Sequence, residues 1–290
     1  MSDPIGDLIA AEELPGDYRT IVDDSWRPVA EFIAMCAGTR RPFIVGVNGA
    51  QGAGKSTLCR FLEVLLAERG LRAVTLSLDD LYLTRAERQA AAKDHHPLFA
   101  TRGVPSTHDV QLGHEVLDLL MAGRPAVLPR FDKSSDDRAP EGRLVEPPVD
   151  VILFEGWCVG ALPQAAAALR EPVNELEATE DPDCVWRREV NRRLATDYAE
   201  LFARIDLLVM LKVPDFDAVR RNRALQEDKL RARNPGAPGL MDAAALKRFL
   251  DQDERLTLHI FEEMSHRADL VIPIGADQRP APMAGGLASS

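Results

Sequence analysis

The stretch of the 290-residue chain richest in chemistry is Gly49-Ala50-Gln51-Gly52-Ala53-Gly54-Lys55-Ser56-Thr57, which satisfies the spacing GxxxxGK[ST]. Glycines so placed let the backbone curl until successive N–H groups point inward at an anion. A helix beginning at the lysine would aim the positive end of its dipole at the same anion. Lys55 would then reach the outer phosphates of a nucleotide, and Ser56 would offer a hydroxyl to Mg²⁺. Two carboxylate positions stand where phosphoryl transfer needs them. In Ser77-Leu78-Asp79-Asp80-Leu81-Tyr82, after an apolar run, a carboxylate could take the proton of an attacking hydroxyl. Capping or turn formation is the alternative use of Asp79 and Asp80. A second apolar run, Val151-Ile152-Leu153-Phe154, ends in Glu155, where a strand-end acid would hold a Mg²⁺-bound water or orient the site.

These groups need a scaffold that brings strand ends together. Pro42 precedes Phe43-Ile44-Val45-Gly46-Val47, a short apolar run suited to a parallel strand covered on both faces. After the loop, Leu58, Phe61, Leu62, Leu65 and Leu66 recur at helical spacing, and Gly70 closes that helix. The run Ala73 to Leu78 completes a βαβ unit. Further strands are expected at Val149 to Phe154, Leu207 to Val213 and Leu270 to Ile274, with helical patterns at 109–122, 185–204, 215–232 and 242–264. Such alternation predicts an α/β fold: a P-loop NTPase three-layer α/β/α sandwich with a mostly parallel sheet of about five strands. Its ligands would sit at the carboxyl ends of the strands.

Around this domain, expected over 41–274, residues 1–40 read as an N-terminal helical extension with Trp26, Val29, Phe32, Ile33 and Cys36 at helical spacing. The charged, proline-rich stretch 123–148 reads as a loop-rich excursion, and 231–240 as a second loop within a lid near 215–240. The last residues, 275–290, are mostly small or proline and read as a disordered tail.

A net charge of −11 argues against broad attraction to nucleic acid or an anionic membrane. The four cysteines (Cys36, Cys59, Cys158, Cys184) are scattered without a CxxC pair, which suggests neither a zinc site nor a secreted disulfide scaffold. The start lacks a cationic segment followed by an apolar one, and no apolar run approaches the roughly 18 residues of a membrane span. A cytoplasmic setting is therefore expected. A regulatory GTPase is excluded by the lack of an NKxD segment and of a DxxG beyond the loop. A nucleotide-binding module without chemistry is the other rival, and Asp79 beside the loop argues against it.

Several motifs now line up in order. Ser77 to Thr84 (SLDDLYLT), Arg102 to Asp109 (RGVPSTHD), Pro129 to Ser134 (PRFDKS) and Phe154 to Cys158 (FEGWC), with Val190-Asn191 and Gln226-Glu227, span residues 43–274. Together with the loop they resemble the P-loop kinases related to uridine kinase, phosphoribulokinase and pantothenate kinase. Within that group the chain is most similar to the D-glycerate 3-kinases of plant and fungal type. The resemblance implies transfer from ATP, with Mg²⁺, to a small hydroxy acid, with Asp79 as base. For the acceptor it implies Asp79, Tyr82, Arg102, Thr107, His108, Asp109 and Lys133 as contacts. Arg102, Arg130, Lys133 and Arg138 are the cations that could meet a carboxylate. Capping of the helix near Val110 is the alternative for Ser106 to Asp109. In related kinases the region of Arg220 to Arg233 acts as a lid, which puts Arg221 and Arg223 forward as phosphate contacts. Two departures fall on the acceptor side: Leu81 stands where the family often has an aromatic, and Asp136-Asp137 replaces a Gly-rich stretch. Pantothenate, a nucleoside or a sugar acid stays open as acceptor, as does ATP binding alone, and so does the choice between monomer and homodimer.

Overall fold

The structure is a computed structural model that describes residues 3–233 and 240–281. The chain opens with α1 (Pro4–Ala11), α2 (Tyr18–Ile21) and α3 (Arg27–Ala37), with a wider π-helical turn over Val22–Trp26 between the last two. β1 (Phe43–Gly49), α4 (Lys55–Ala67) and β2 (Ala73–Ser77) form the first βαβ unit. A 3₁₀ turn over Leu78–Leu81 leads to α5 (Arg85–Asp94) and α6 (Val110–Met121). Four short strands follow, β3 (Ala126–Leu128), β4 (Phe131–Asp132), β5 (Asp137–Arg138) and β6 (Arg143–Val145), and then β7 (Val151–Gly156). The chain continues through α7 (Glu175–Glu180), α8 (Val185–Ala195), α9 (Asp197–Phe202), β8 (Leu207–Lys212), α10 (Phe216–Arg233), α11 (Ala243–Glu263) and β9 (Leu270–Pro273).

The main sheet has five strands in the order β2-β7-β1-β8-β9, and every pairing in it is parallel. Alternation along the strands supplies two cores. Val45, Val47, Val151, Leu153, Val209 and Leu211 face α3 and α4, meeting Ile33, Phe61, Leu62 and Leu65. Ile44, Ile152, Phe154, Leu208 and Met210 face the other way, onto Leu117, Tyr198, Leu201 and Phe202 of α6 and α9. The first helices cover α4: the Tyr18 ring stacks on Phe61 at 5.5 Å, and Trp26 Nε1 donates to the Tyr18 hydroxyl at 3.3 Å. Cys36, expected on the packed face of this segment, is exposed, and Phe32 is only partly buried.

Three expectations need correction. The excursion at 123–148 is not loop-rich throughout, because β3 pairs antiparallel with β6 and β4 with β5. Both ladders are too short for periodicity to announce them. The single helix expected at 185–204 breaks at Thr196 (φ −118°, ψ −97°), whose hydroxyl donates to the Arg192 carbonyl at 3.0 Å and to Asp197 Oδ1 at 2.9 Å. The break turns Tyr198 inward until it is 1% exposed. Third, residues 275–281 form a turn instead of starting a structureless tail. The Gly275 amide donates to the Arg279 carbonyl at 2.7 Å, and Arg279 pairs with Asp17 at 2.7 Å. The rest of the expected tail, 282–290, and residues 234–239 of the loop expected at 231–240 lie outside the described residues, while 231–233 continue α10.

An ionic knot joins α7, α8 and α11. Glu177 is 0% exposed and accepts from Arg255 Nε and Nη2, both at 2.7 Å, while Arg187 pairs with Asp181 at 3.2 Å. Removing one partner of a buried pair strands the other charge, at a cost of about 3–5 kcal/mol. Glu177→Gln should therefore lower unfolding stability by about that amount in urea titrations. Glu180→Gln, which breaks the exposed pair with Arg248, should cost less than about 1 kcal/mol.

Candidate active site

The phosphate loop leaves the C-terminal end of β1, the central strand. Asn48 ties that end to the turn after β7, since its Nδ2 donates to the carbonyls of Trp157 at 3.0 Å and Val159 at 2.9 Å. The loop then uses two left-handed glycines, Gly52 (φ +75°) and Gly54 (φ +91°). Gly54 precedes α4, and among the described residues no side chain caps that helix. Thr84, Asp109, Asn174 and Asp242 cap α5, α6, α7 and α11. The first amides of α4 therefore remain free donors, which suits a phosphate. Lys55 folds back over the loop, its Nζ 3.2 Å from the Ala50 carbonyl.

Ser56 Oγ donates to Glu155 Oε1 at 3.1 Å, joining the first turn of α4 to the end of β7. A hydroxyl and a carboxylate form an oxygen-only pair of the kind that suits Mg²⁺, a cation that takes few protein ligands and completes its shell with phosphates and water. Among the described residues no cluster of three or more His, Cys, Asp or Glu could hold a metal by itself. The pair thus fits a metal that arrives with a nucleotide.

Asp79 and Asp80 divide their work. Asp80 Oδ1 accepts the Phe131 amide at 2.9 Å and anchors β4; burial and the neighbouring Asp79 raise its carboxyl above the ordinary range. Asp79 faces the cleft with 31% of its side chain exposed. Its Oδ2 accepts from Lys133 Nζ at 2.7 Å and its Oδ1 from the Tyr82 hydroxyl at 3.2 Å. Burial opposes its charge, but Lys133, then Lys55 and His108, hold the carboxyl well below the usual carboxylate range. It is an anion at neutral pH, bracketed by a cation and a phenol.

These groups line one cleft of about 650 Å³, together with Gln51, Gly52, Arg102 and Arg223. Other expected contacts stand behind its wall. Gly49 is buried at the end of β1 and Ala50 and Ala53 in the turn after it, and Gly54 and Thr57 shape α4's start without lining the cleft. Thr107 is 1% exposed, and its hydroxyl donates to the Val104 carbonyl at 2.7 Å, closing a loop. Asp109 caps α6 through the Leu112 amide at 3.0 Å and pairs with Arg138 at 3.2 Å. His108 stacks on Tyr82 at 4.4 Å, and its Nδ1 lies 2.7 Å from the Tyr198 hydroxyl. Burial pushes its imidazole down to about 3, so it is neutral. These three build the wall that carries Tyr82. Arg221 lies exposed on α10 away from the cleft, whereas Arg223 turns in, paired with Glu227 at 2.9 Å.

No family model matches the chain. An uncharacterised kinase of Schizosaccharomyces pombe is 37% identical over 205 residues, a match covering 67% of this chain and 73% of that protein. The chain belongs to the P-loop kinases. A chloroplastic D-glycerate 3-kinase of Arabidopsis thaliana is 33% identical over 214 residues, 69% of this kinase but only 44% of the plant protein. The structure of a D-glycerate 3-kinase from Cryptococcus neoformans superposes with a TM-score of 0.73 at 25% identity, covering 88% of this kinase and 97% of that chain. This kinase is accordingly an ATP-dependent phosphotransferase that acts on a hydroxyl. Among the described residues no helix is long and apolar enough to cross a membrane.

Two features of the kinase escaped the sequence reading. Asp253 on α11 is 2% exposed and accepts from Gln51 Nε2 of the phosphate loop at 2.5 Å, while its Oδ1 has no partner. Burial, reinforced by Asp79, pushes its carboxyl well above the ordinary range. The available signal was Gln252-Asp253 inside the apolar stripe of Phe249, Leu250 and Leu256. The far wall of the cleft is the second feature, with Arg60, Glu63, Thr75 and Arg143; no motif marks it. Asp136, one of the two departures from the family pattern, holds its place through a carboxylate that pairs with both Arg88 and Arg102.

Two outcomes follow from this geometry. A Cβ at Gly52 would sit 2.6 Å from Asn222 Cβ in a left-handed backbone; strain of about 1–3 kcal/mol should raise the KM for ATP by about tenfold or more in Gly52→Ala. His108 titrates near 6.5 when unfolded and near 3 when folded, so below 6.5 the unfolded chain binds more protons. Its stability contribution is complete above that pH and is lost as pH falls toward 3. Melting temperatures between about pH 7.5 and about pH 4.5 should therefore fall less steeply in His108→Gln than in the wild type.

Proposed function

We propose that this kinase transfers the γ-phosphoryl group of ATP to a hydroxyl of D-glycerate, with Mg²⁺ bound beside the nucleotide. The observation that carries the reading is Asp79, an ionised carboxylate exposed in the same cleft as the phosphate loop and held between Lys133 and Tyr82. The loop amides and Lys55 would bind the phosphates and take up the charge that builds on them during transfer. Ser56 and Glu155 would hold Mg²⁺, which when bound neutralises phosphate charge. Asp79 would orient the acceptor hydroxyl toward the γ-phosphorus. A bond forms from that oxygen to phosphorus, the bond to the β–γ bridging oxygen breaks, and ADP leaves. The hydroxyl proton passes to Asp79. A carboxylate with so low a pKa is a weak base, which suits a loose transition state in which the proton leaves late.

The lid reading centres on α10, which brings Arg223 to the cleft and packs Asn222 against Gly52, so that closure would exclude water as a competing nucleophile. D-glycerate is favoured by the two glycerate kinases among the relatives. A cytoplasmic setting belongs to the same reading, supported by four unpaired cysteines.

ADP release should be stimulated by D-glycerate in a panel that also holds pantothenate, uridine and a pentose phosphate. Stimulation by another member alone would replace the acceptor, and none at all would favour ATP binding without transfer. Asp79→Asn should lower kcat by about 10²–10⁴ while leaving the KM for ATP within about twofold. Full turnover in that variant removes Asp79 as the base.

A further inference from the structure

An acceptor that is itself an anion meets a difficulty in this cleft. Asp79, Asp80, Glu155 and Glu63 all line it, so a carboxylate entering beside Asp79 needs a cation that the protein has not already neutralised. Most of the cleft's cations are committed. Lys133 pairs with Asp79 at 2.7 Å, Arg223 with Glu227 at 2.9 Å, Arg102 with Asp136 and Arg60 with Glu12. Arg143 donates to the Thr75 carbonyl at 3.2 Å, and Lys55 sits over the phosphate loop. Outside the cleft, Arg138 is held by Asp109.

Arg130 is different. It lines the same cleft, its side chain is exposed, and among the described residues that side chain makes no hydrogen bond or ion pair. Its backbone is nonetheless fixed. The Arg130 carbonyl accepts the Ala139 amide at 2.8 Å, and the next amide, Phe131, is bound to Asp80 at 2.9 Å. Phe131 is 6% exposed, with its ring against Tyr82 and the guanidinium groups of Arg88 and Arg102. A free guanidinium thus springs from a rigid strand start, one residue from an amide bonded to the neighbour of Asp79. Taking Lys133 for the acceptor instead would strip Asp79 of its counter-ion.

We infer that Arg130 receives the carboxylate of the acceptor and makes the kinase select hydroxy acids over neutral polyols. This rests on the acceptor reading above. A planar guanidinium grips a carboxylate through two parallel N–H···O bonds, which fixes orientation as well as charge. With the carboxylate held there, a hydroxyl of the same small molecule can turn toward Asp79.

Steady-state kinetics with the acceptor varied at saturating ATP test the inference in wild type, Arg130→Gln and Arg130→Lys. In Arg130→Gln the KM for D-glycerate should rise about tenfold or more, with kcat and the KM for ATP within about threefold, the pattern of lost uniform binding. Arg130→Lys should recover part of the loss, and the preference for D-glycerate over glycerol should fall about tenfold in Arg130→Gln. An unchanged KM for D-glycerate in an active Arg130→Gln overturns the inference and leaves the acceptor reading intact. So does a parallel rise of both KM values with a lower melting temperature, which marks a structural role. If the wild type uses another carboxylic acid on the panel, the acceptor reading fails and the same variants are read with that acid. Should only neutral acceptors work, both fall.

Discussion

Parallel pairing of β1 with β7 is the constraint on which the site depends. The register sets Val47 opposite Glu155 and Asn48 opposite Gly156. The strand that launches the phosphate loop and the strand that carries Glu155 near its end therefore stop at the same height, and Ser56 meets that carboxylate at 3.1 Å. Pairing of β2 with β7 places Ser77 opposite Glu155, which carries Asp79 to the same edge. A slip of one residue would turn Glu155 to the other face of the sheet. The slip is opposed by burial of both faces of β1 and β7, every residue of which is covered.

Carboxylates crowd the resulting edge, and each is accommodated by a different means. Lys133 neutralises Asp79, a backbone amide satisfies Asp80, and a serine hydroxyl meets Glu155. Burial favours the neutral form of Asp253, which accepts from Gln51. Asp79 is the acid held as an anion between a cation and a phenol, with its side chain open to the cleft. The chemistry proposed for it follows from that placement.

The phosphate loop, the five strands of the main sheet and the acid after β2 were legible because each rests on a local rule: glycine geometry, apolar runs and strand-end position. Other features were hidden for equally physical reasons. Thr107, His108 and Asp109 look like ligands in a motif, yet a hydroxyl, an imidazole and a carboxylate serve equally well as a loop clasp, a stacking partner and a helix cap. Which use prevails depends on the direction each side chain faces. The break at Thr196 was unreadable because the periodicity on both sides of it is helical, and the contact that rewards it, Tyr198 on His108, spans the fold. Asp253 escaped because its partner, Gln51, lies 202 residues away.

By itself the sequence determined a glycine loop at residues 49–57 of the kind that suits phosphates, a parallel sheet that carries it, and a chain that is a kinase by its motifs. Those properties follow from residue types at short spacing, where backbone geometry leaves few alternatives. Only the tertiary structure decided which polar residues face the cleft, which cations are already paired, and that Asp136 holds Arg88 and Arg102. Charge pairing and burial are sums over neighbours distant in the chain, so no local pattern records them. The glycine loop is a local property, and the pairing of the charges around its cleft is a global one.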